Sequence, residues 1–451
     1  MSGESGGPGG SRVERRNIEG LGENMQLSSV FQASGLAYAL ISDTEANKTI
    51  LSELPPTLGE EFGLLLRGSD AKTGIPLELE AGGTVEGYGV FEFPYGPVSS
   101  GVPEAGGFRL LTYGERILKI IPQVNFKKRG VEQRVLGRKP EDALLLIERS
   151  AGNFSASYST CFVTAVENLL GLEVPSKAKW IRAVAIELER IHNHLYAFGR
   201  LAEAASQNVA AAQTHALRER VLRLNSKQFG HRYLFGFNSL GGVRRDLPKE
   251  ECNNLTNEIR LVAREFSGLV EYFLSSRIFL DRLQATAKLP RRDALALGAV
   301  GPSARGSGIQ WDDRLTYPLE PYEDIYVNLE TEPGGDTMAR TMVRVREIES
   351  STIALRELLD RMPGDGTEGN TEGHGVGGRT EDFAFCRIES PSGDLIQVAQ
   401  LDGQGRVSNL QIRPASLVNW LPLARSLEGN VFTDFQFAFE SFGLSFADSD
   451  R

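Results

Sequence analysis

Between Lys177 and Phe198 the chain reads KAKWIRAVAIELERIHNHLYAF. Within it Trp180, Val184, Leu188, Ile191 and Leu195 recur at steps of three and four, which puts them on one face of an α-helix. Glu187, Glu189 and Arg190 stand between them, so the pattern predicts a long helix that buries a single stripe. A second stretch, 337–362, repeats the period with Met338, Met342, Val345, Ile348, Ile353, Leu355 and Leu358. Asp336 and Arg340 stand four apart at its start, a spacing that favours an ion pair, and Pro363 stops the helix. Two such segments predict a body that is mostly helical.

On either side the pattern changes. Residues 1–24 are Gly, Ser and charge with little to bury and read as a disordered arm. Short apolar runs between turn residues, GLAYALI, FGLLLRG and GVFEF, make 25–93 a small mixed α/β or β-rich segment. FRLLTYGERILKIIPQV from Phe108 is strand-like and leads into the helical region. After Pro363 the run GDGTEGNTEGHGVGGRT predicts a flexible loop near 363–380, and FAFCRIE and LIQVAQL return to strand. The expectation is an α+β protein: an N-terminal mixed segment at 25–93, then a helical bundle with small flanking β elements over 94–451.

Composition removes several functions. Of 451 residues 24% are charged, the net charge is −10, and no basic patch stands apart, which argues against a nucleic-acid partner. Cys161, Cys252 and Cys386 are odd in number and far apart in the sequence, so neither a disulfide framework nor a C-x-x-C thiolate pair is expected. No stretch approaches the ~18 apolar residues of a spanning helix. A cytoplasmic chain follows, with any membrane role exercised through partners.

His192, His194, His215 and His231 fall in the helical region. His192 and His194 are two apart and point to different helix faces, so they cannot chelate one ion together, and the helical metalloprotease pattern is absent. GGPGG, GYG and HGVGG neither follow a clear strand nor open a helix, which leaves no phosphate cradle. Gly241 and Gly242 allow a close backbone approach, and Asp246 suits a cap or an arginine partner. Arg305, Trp311, Asp312 and Arg314 suit a hydrogen-bonded core around a turn, with guanidinium stacked on indole.

A series of strings in fixed order carries more than any of these alone. They are YGPVSSGVPEAGGFRL from Tyr95, KRGVEQR from Lys128, ERSAGNFSASYSTCFVTAVENLLGLEVP from Glu148, IRAVAIELERIHNHLYAFG from Ile181, NSLGGVRRDLP from Asn238, GPSARGSGIQWDDR from Gly301 and EPGGDTMARTMVRVREIE from Glu332. Together they resemble the large subunit of the membrane-bound, energy-converting (group 4) nickel–iron hydrogenases and its relative, the 49-kilodalton subunit of respiratory complex I. The resemblance covers roughly 94–451 and implies the hydrogenase-large-subunit architecture.

What the resemblance implies about chemistry turns on four positions. In those hydrogenases two C-x-x-C pairs hold nickel and iron; here the positions are Ala151 and Phe154, then Ser445 and Asp448. Methyl, phenyl, hydroxyl and carboxylate cannot replace thiolates as a set, so no metal or other cofactor is expected in this chain. Complex I also lacks those cysteines and approaches quinone through the vacated cavity, and the ending FADSDR resembles its pattern. Quinone is therefore an acceptor to consider, although Ser99 and Pro103 replace the expected histidines and Gly152 the expected tyrosine. Ser392 stands where the family places a basic side chain over the site, whereas Arg413 matches.

The residues to examine are Glu104, Tyr158, His192, His194, Arg413 and Asp448. Phe435, Phe439, Phe442 and Phe446 recur at helical spacing, so Asp448 is expected at the cavity edge with a raised pKa. The implied role is the large peripheral-arm subunit of a complex-I-like or hydrogenase-like membrane oxidoreductase, on the cytoplasmic face of the membrane. Its implied partners are a small subunit carrying an iron–sulfur cluster, a 30-kilodalton-like subunit and integral membrane subunits that move ions. The alternative is a non-catalytic scaffold or assembly subunit that keeps the fold.

Overall fold

Pro175, with its fixed backbone angle, ends the preceding loop, and α2 then runs from Ser176 to Ala204, longer than the sequence pattern at both ends. In the computed structural model, residues 85–99, 101–364 and 383–451 are described throughout. Residues 79, 366, 367 and 369, and the backbone of 14–15, 25–33, 36–43, 48–54 and 77–78, are described as well. The arm expected at 1–24 and the loop expected near 363–380 lie almost wholly outside the described residues.

Around α2 stand α1 (Ser155–Leu170), α3 (Asn208–Phe229), α4 (Lys249–Leu274) and α5 (Thr337–Asp360). α2 packs along α3 and against α5, and α4 packs on both α3 and α5. The apolar stripe of α2 is buried as expected, but Glu187, Glu189 and Arg190 are buried too, at 0%, 1% and 0% exposure. α2 is surrounded on all sides, so its charges must be paired inside the body and not solvated. α5 repeats the lesson: Arg340, Arg344 and Glu347 are buried while Met342, Val345 and Ile353 are only half-buried. Asp336 does not pair with Arg340; it caps α5 by accepting from Ala339 N at 2.9 Å, an arrangement that stabilises a helix by about 1 kcal/mol.

The β elements flank this body. An N-terminal sheet orders β1 (Glu14–Arg15), β4 (Lys48–Leu54), β3 (Leu36–Asp43) and β2 (Met25–Ala33), with β1 parallel to β4 and the other pairs antiparallel. A second sheet orders β5 (Leu77–Glu78), β8 (Arg116–Val124), β7 (Gly107–Tyr113) and β6 (Val90–Tyr95). Its β7–β8 hairpin is the FRLLTYGERILKIIPQV stretch, and β6 crosses the segment boundary placed at 93. A two-residue hairpin, β9 (Asn238–Ser239) with β10 (Gly242–Val243), holds the double glycine. The third flanking sheet is β11 (Phe383–Ser390), β12 (Gly393–Leu401) and β13 (Val407–Arg413), and α1 packs on its first two strands.

The C-terminal part contributes α6 (Ala415–Leu427), α7 (Phe435–Phe442) and the short α8 (Phe446–Ser449). Phe435, Phe439, Phe442 and Phe446 are all buried, at 4% exposure or less, and with Phe108 and Trp420 they form a second apolar core. Gly106 is needed there, because a Cβ on it would stand 2.1 Å from the Phe446 ring. No helix among the described residues is long and apolar enough to cross a membrane.

Candidate functional site

A cleft opens where several segments meet, with about 570 Å³ of atom-free space including its mouth. Its polar wall includes Glu104 from the β6–β7 loop, Asn153 just before α1, Asn193 and Tyr196 on α2, Arg344 from α5, Ser392 from the β11–β12 turn, Glu440 from α7 and Ser445 just before α8. Of the two pairs singled out by the sequence, Phe154 and Ser445 line the cleft, while Ala151 and Asp448 are buried and do not line it.

Glu104 accepts from Ser445 Oγ at 2.8 Å and from Ala447 N at 2.8 Å, so it satisfies the N-terminus of α8. Burial raises its pKa, and these hydrogen bonds work against that rise. Ser445 in turn caps α8 through Asp448 N at 3.2 Å. Asp448 accepts from the Tyr158 hydroxyl at 2.7 Å and from Ser416 N at 3.1 Å. Burial raises the Asp448 pKa, as expected, but its 3% exposure places it behind the wall rather than at the cavity edge. Two short steps of sequence produce this: α8 turns Ser445 and Phe446 to the cleft and Asp448 to α1 and α6. Burial and the neighbouring Asp448 carboxylate together push the Tyr158 hydroxyl well above its usual range.

His192 and His194 diverge as their spacing requires. His194 lies between Glu347 Oε2, 2.7 Å from its Nε2, and Arg344 Nη1, 3.3 Å from its Nδ1. Arg344 can only donate, so Nδ1 accepts and the ring is the neutral Nε2–H tautomer, in keeping with a pKa lowered by burial to about 4. His192 stacks edge-on against Tyr233; its buried Nδ1 has no hydrogen-bond partner among the described residues, and burial lowers its pKa to about 3. No group of three His, Cys, Asp or Glu among the described residues is placed to hold a metal ion.

Arg413 does not reach the cleft. It binds Asp394 at 2.7 Å, Asp394 also binds Arg387 at 2.8 Å, and Arg387 binds Asp313 at 2.9 Å. From Asp313 the contacts run through Glu389, Arg305 and Glu347 to His194, and from Arg305 through Asp312 and Arg314 to Glu187. The turn core expected from Arg305, Trp311, Asp312 and Arg314 is present, but the guanidinium on the indole belongs to Arg387, 5.0 Å from the ring centroid. Asp246 pairs with Lys177 at 2.6 Å, a lysine where an arginine or a cap was expected. Two of the sequence-distant cysteines also meet: Cys161 Sγ is 3.2 Å from the carbonyl oxygen of Cys386, and both are free thiols.

Sequence reasoning missed Arg344, Arg200 and Glu440. Ser392 lines the cleft with a hydroxyl, and Arg344 supplies a guanidinium from another wall. Among the described residues Arg344 meets carbonyl oxygens and His194 but no carboxylate, and burial lowers its pKa to about 10. Gly443 makes room for it, since a Cβ there would lie 2.7 Å from Arg344 Nη2. Glu440 had a signal in the sequence: it is the lone acid in the apolar helix FQFAFESF, and a buried acid in such a helix calls for a reason.

Residues 209–374 match the family described as the respiratory-chain NADH dehydrogenase 49 kDa subunit, and residues 129–221 match the nickel-dependent hydrogenases. The chain is 30% identical over 387 residues to the alpha subunit of the membrane-bound hydrogenase of Pyrococcus furiosus, covering 80% of this chain and 87% of that one. It is 27% identical over 364 residues to a subunit of the NADH-quinone oxidoreductase of Koribacter versatilis, covering 75% and 90%. A subunit of the F420H2 dehydrogenase of Methanosarcina mazei is 29% identical over 321 residues, covering 69% and 84%. In fold, the chain superposes with TM-score 0.75 and 24% identity on a chain of the membrane-bound sulfane sulfur reductase, an archaeal respiratory membrane complex, covering 80% and 98%. The chain therefore belongs to the family that unites the large subunits of membrane-bound nickel–iron hydrogenases with the 49-kilodalton subunit of complex I.

Proposed function

We propose that this protein is the large peripheral-arm subunit of a complex-I-like or hydrogenase-like membrane oxidoreductase that carries no nickel–iron centre. In this reading electrons from a donor of the NADH or ferredoxin type reach the cleft through an iron–sulfur cluster in a partner subunit. They leave on an acceptor of the quinone type, and the transfer drives ion movement in integral membrane subunits. A 30-kilodalton-like subunit completes the peripheral arm on the cytoplasmic face.

The observation that carries the reading is the donor set of the cleft. A phenyl ring at Phe154 and a hydroxyl at Ser445 line it, and Ala151 and Asp448 are buried. The Ser445 hydroxyl and the Asp448 carboxylate are already engaged by Glu104, Tyr158 and Ser416. Soft, thiolate-bound nickel and iron do not fit these groups. What remains can hold a neutral, partly apolar acceptor: aromatic walls from Phe154, Phe439 and Phe446, and polar groups in Glu104, Asn193, Tyr196, Arg344 and Glu440.

The test is the intact complex purified from native membranes. The expected result is reduction of a quinone with no stoichiometric nickel and no hydrogen uptake. Near-equimolar nickel with hydrogen uptake would overturn the assignment of the four positions. Absence of quinone, sulfur and proton reduction, together with absence of an iron–sulfur partner, would overturn the reading in favour of the scaffold.

A further inference from the structure

A chain of polar contacts runs from the cleft wall to the protein surface. On α2, Tyr196, Gly199, Arg200 and Glu203 share a face by their spacing of three, four and seven. Arg200 donates to Glu203 from Nη1, and from Nη2 to Glu440 Oε1 at 2.8 Å and to the Gly101 carbonyl. Glu203 Oε1 lies 2.9 Å from His215 Nε2 on α3. The side chains of Glu203 and His215 are about one-third exposed, whereas that of Glu440 is only 9% exposed and faces the cleft. Gly199 seats the imidazole, because a Cβ there would stand 2.6 Å from His215 Cε1. The contacts therefore form one line: solvent, His215, Glu203, Arg200, Glu440, cleft.

The groups around Glu440 fix its charge behaviour. Arg200 and His194 face it from α2, Arg344 from α5 and Glu104 from the β6–β7 loop, while Arg282 serves the other end of α7 through Asp434. Burial is the largest influence and raises its pKa to about 7; Arg200 opposes this, and the Glu203 and Glu104 carboxylates add to it. Such a carboxyl gains and loses its proton at neutral pH, which is what a relay requires.

We infer that Glu440 is the proton port of the cleft, supplied from solvent through His215 and Glu203, and that it delivers protons to the acceptor reduced there. The delivery step rests on the reading of the cleft as a reduction site; the supply route does not. Protonated His215 gives its Nε2 proton to Glu203 Oε1. Glu203 passes a proton on to Glu440 through a water beside Arg200. The guanidinium keeps its own protons and holds the two carboxylates apart, and its Nε, buried with no partner among the described residues, is a donor such a water would use. Glu440 then protonates the acceptor as the acceptor takes an electron from a reduced one-electron carrier, and Glu440 returns to the carboxylate that pairs with Arg200. One proton enters from solvent for each one delivered.

The experiment is an infrared titration of the purified complex, followed by dilution into D₂O. The wild type should show a buried carboxylic C=O band that titrates near pH 7, absent in E440Q and shifted in E440D. Deuterium exchange at that band should slow about tenfold in H215A, the scale of one lost acid–base relay, and recover with added imidazole. Where the complex turns over, E440Q should lower the rate by about tenfold or more, and E440D should restore most of it. A band that persists in E440Q, or exchange in H215A at the wild-type rate, would overturn the port whether or not the complex turns over. A normal band and normal route in a complex that reduces no acceptor would refute the proposed function and with it the delivery step, leaving the route intact.

Discussion

Glu347 is the residue whose loss should be felt most widely. It is fully buried on α5, accepts from Arg305 Nε at 2.9 Å, and lies 2.7 Å from the His194 ring nitrogen. Truncating one member of a buried ion pair costs about 3–5 kcal/mol, because the surviving charge is left without its partner. Arg305 keeps Glu389 at 2.7 Å and Asp312 at 3.6 Å, so Glu347→Ala belongs at the low end of that range. The orphaned His194 N–H adds about 1–2 kcal/mol. A loss of about 4–5 kcal/mol lowers the unfolding temperature by about 5 °C for a chain of this size. Glu347→Gln retains an oxygen acceptor and should lose roughly half as much. Hydrogen exchange of the α2 and α5 peptides, measured in the purified complex at rising temperature, reads both. The dependence on pH follows from the charge: Glu347 is held well below the carboxylate range by Arg305 and His194 against the effect of burial. Its contribution is therefore present above the ordinary carboxylate pKa and lost only as pH falls through the depressed value. A Glu347→Ala complex that unfolds within about 2 °C of the wild type would refute the claim that this network is held together from its centre.

Three further outcomes are expected. His192, with its pKa lowered to about 3, resists the proton that the unfolded chain takes up near pH 6.5, so stability falls as pH drops through that window; His192→Leu should flatten this fall in urea midpoints, and an unchanged slope would show that the histidine is not buried neutral. Asp448→Asn should leave assembly intact while lowering turnover by roughly tenfold, since it removes a buried acid with a raised pKa beside the cleft; a wild-type rate at every pH would take Asp448 out of the mechanism. Gly106→Ala forces the Phe446 ring to move and should destabilise the C-terminal core by about 1–3 kcal/mol, read as faster exchange in α8 and α6; protection equal to the wild type would mean that the ring has room.

The helices were legible because their period is local. The stripe of α2 and the aromatic spacing of α7 and α8 needed only i, i+3 and i+4 to be seen. The partners of buried charge were not legible, because they are set by tertiary contact. Glu187 pairs with Arg314, 127 positions away, and Arg305 with Glu389, 84 away, so a reading along α2 could only treat such charges as the solvated side of a stripe. The same applies to the site. Asp448 was found from its place near the chain end and its aromatic neighbours, which fixed its burial but not the direction in which α8 turns it. Arg413 matched its motif and was read as a site residue, yet it serves the ion network through Asp394. Arg344 was hidden on the helix whose stripe was judged by its apolar residues, and Glu440 inside a run of phenylalanines.

The choice between a working subunit and a scaffold comes down to what the cleft retains. A chain that only had to dock would lose nothing by filling the vacated space with apolar side chains, and a well-packed apolar core is at least as stable as buried charge. On the proposed reading of the four positions, Phe154 is such a filling at one of them. Around it, however, Glu104, Glu440 and Arg344 are held at the cleft wall, each perturbed by burial and none placed in a simple ion pair with another. Arg344 is bound by carbonyls and by a histidine kept neutral, and Glu440 has its cation on the side away from the cleft, toward a solvent-exposed acid and imidazole. These arrangements cost stability and gain nothing for packing. They suit a cleft that exchanges protons while holding an acceptor, which is the arrangement the proposed function requires and docking alone does not.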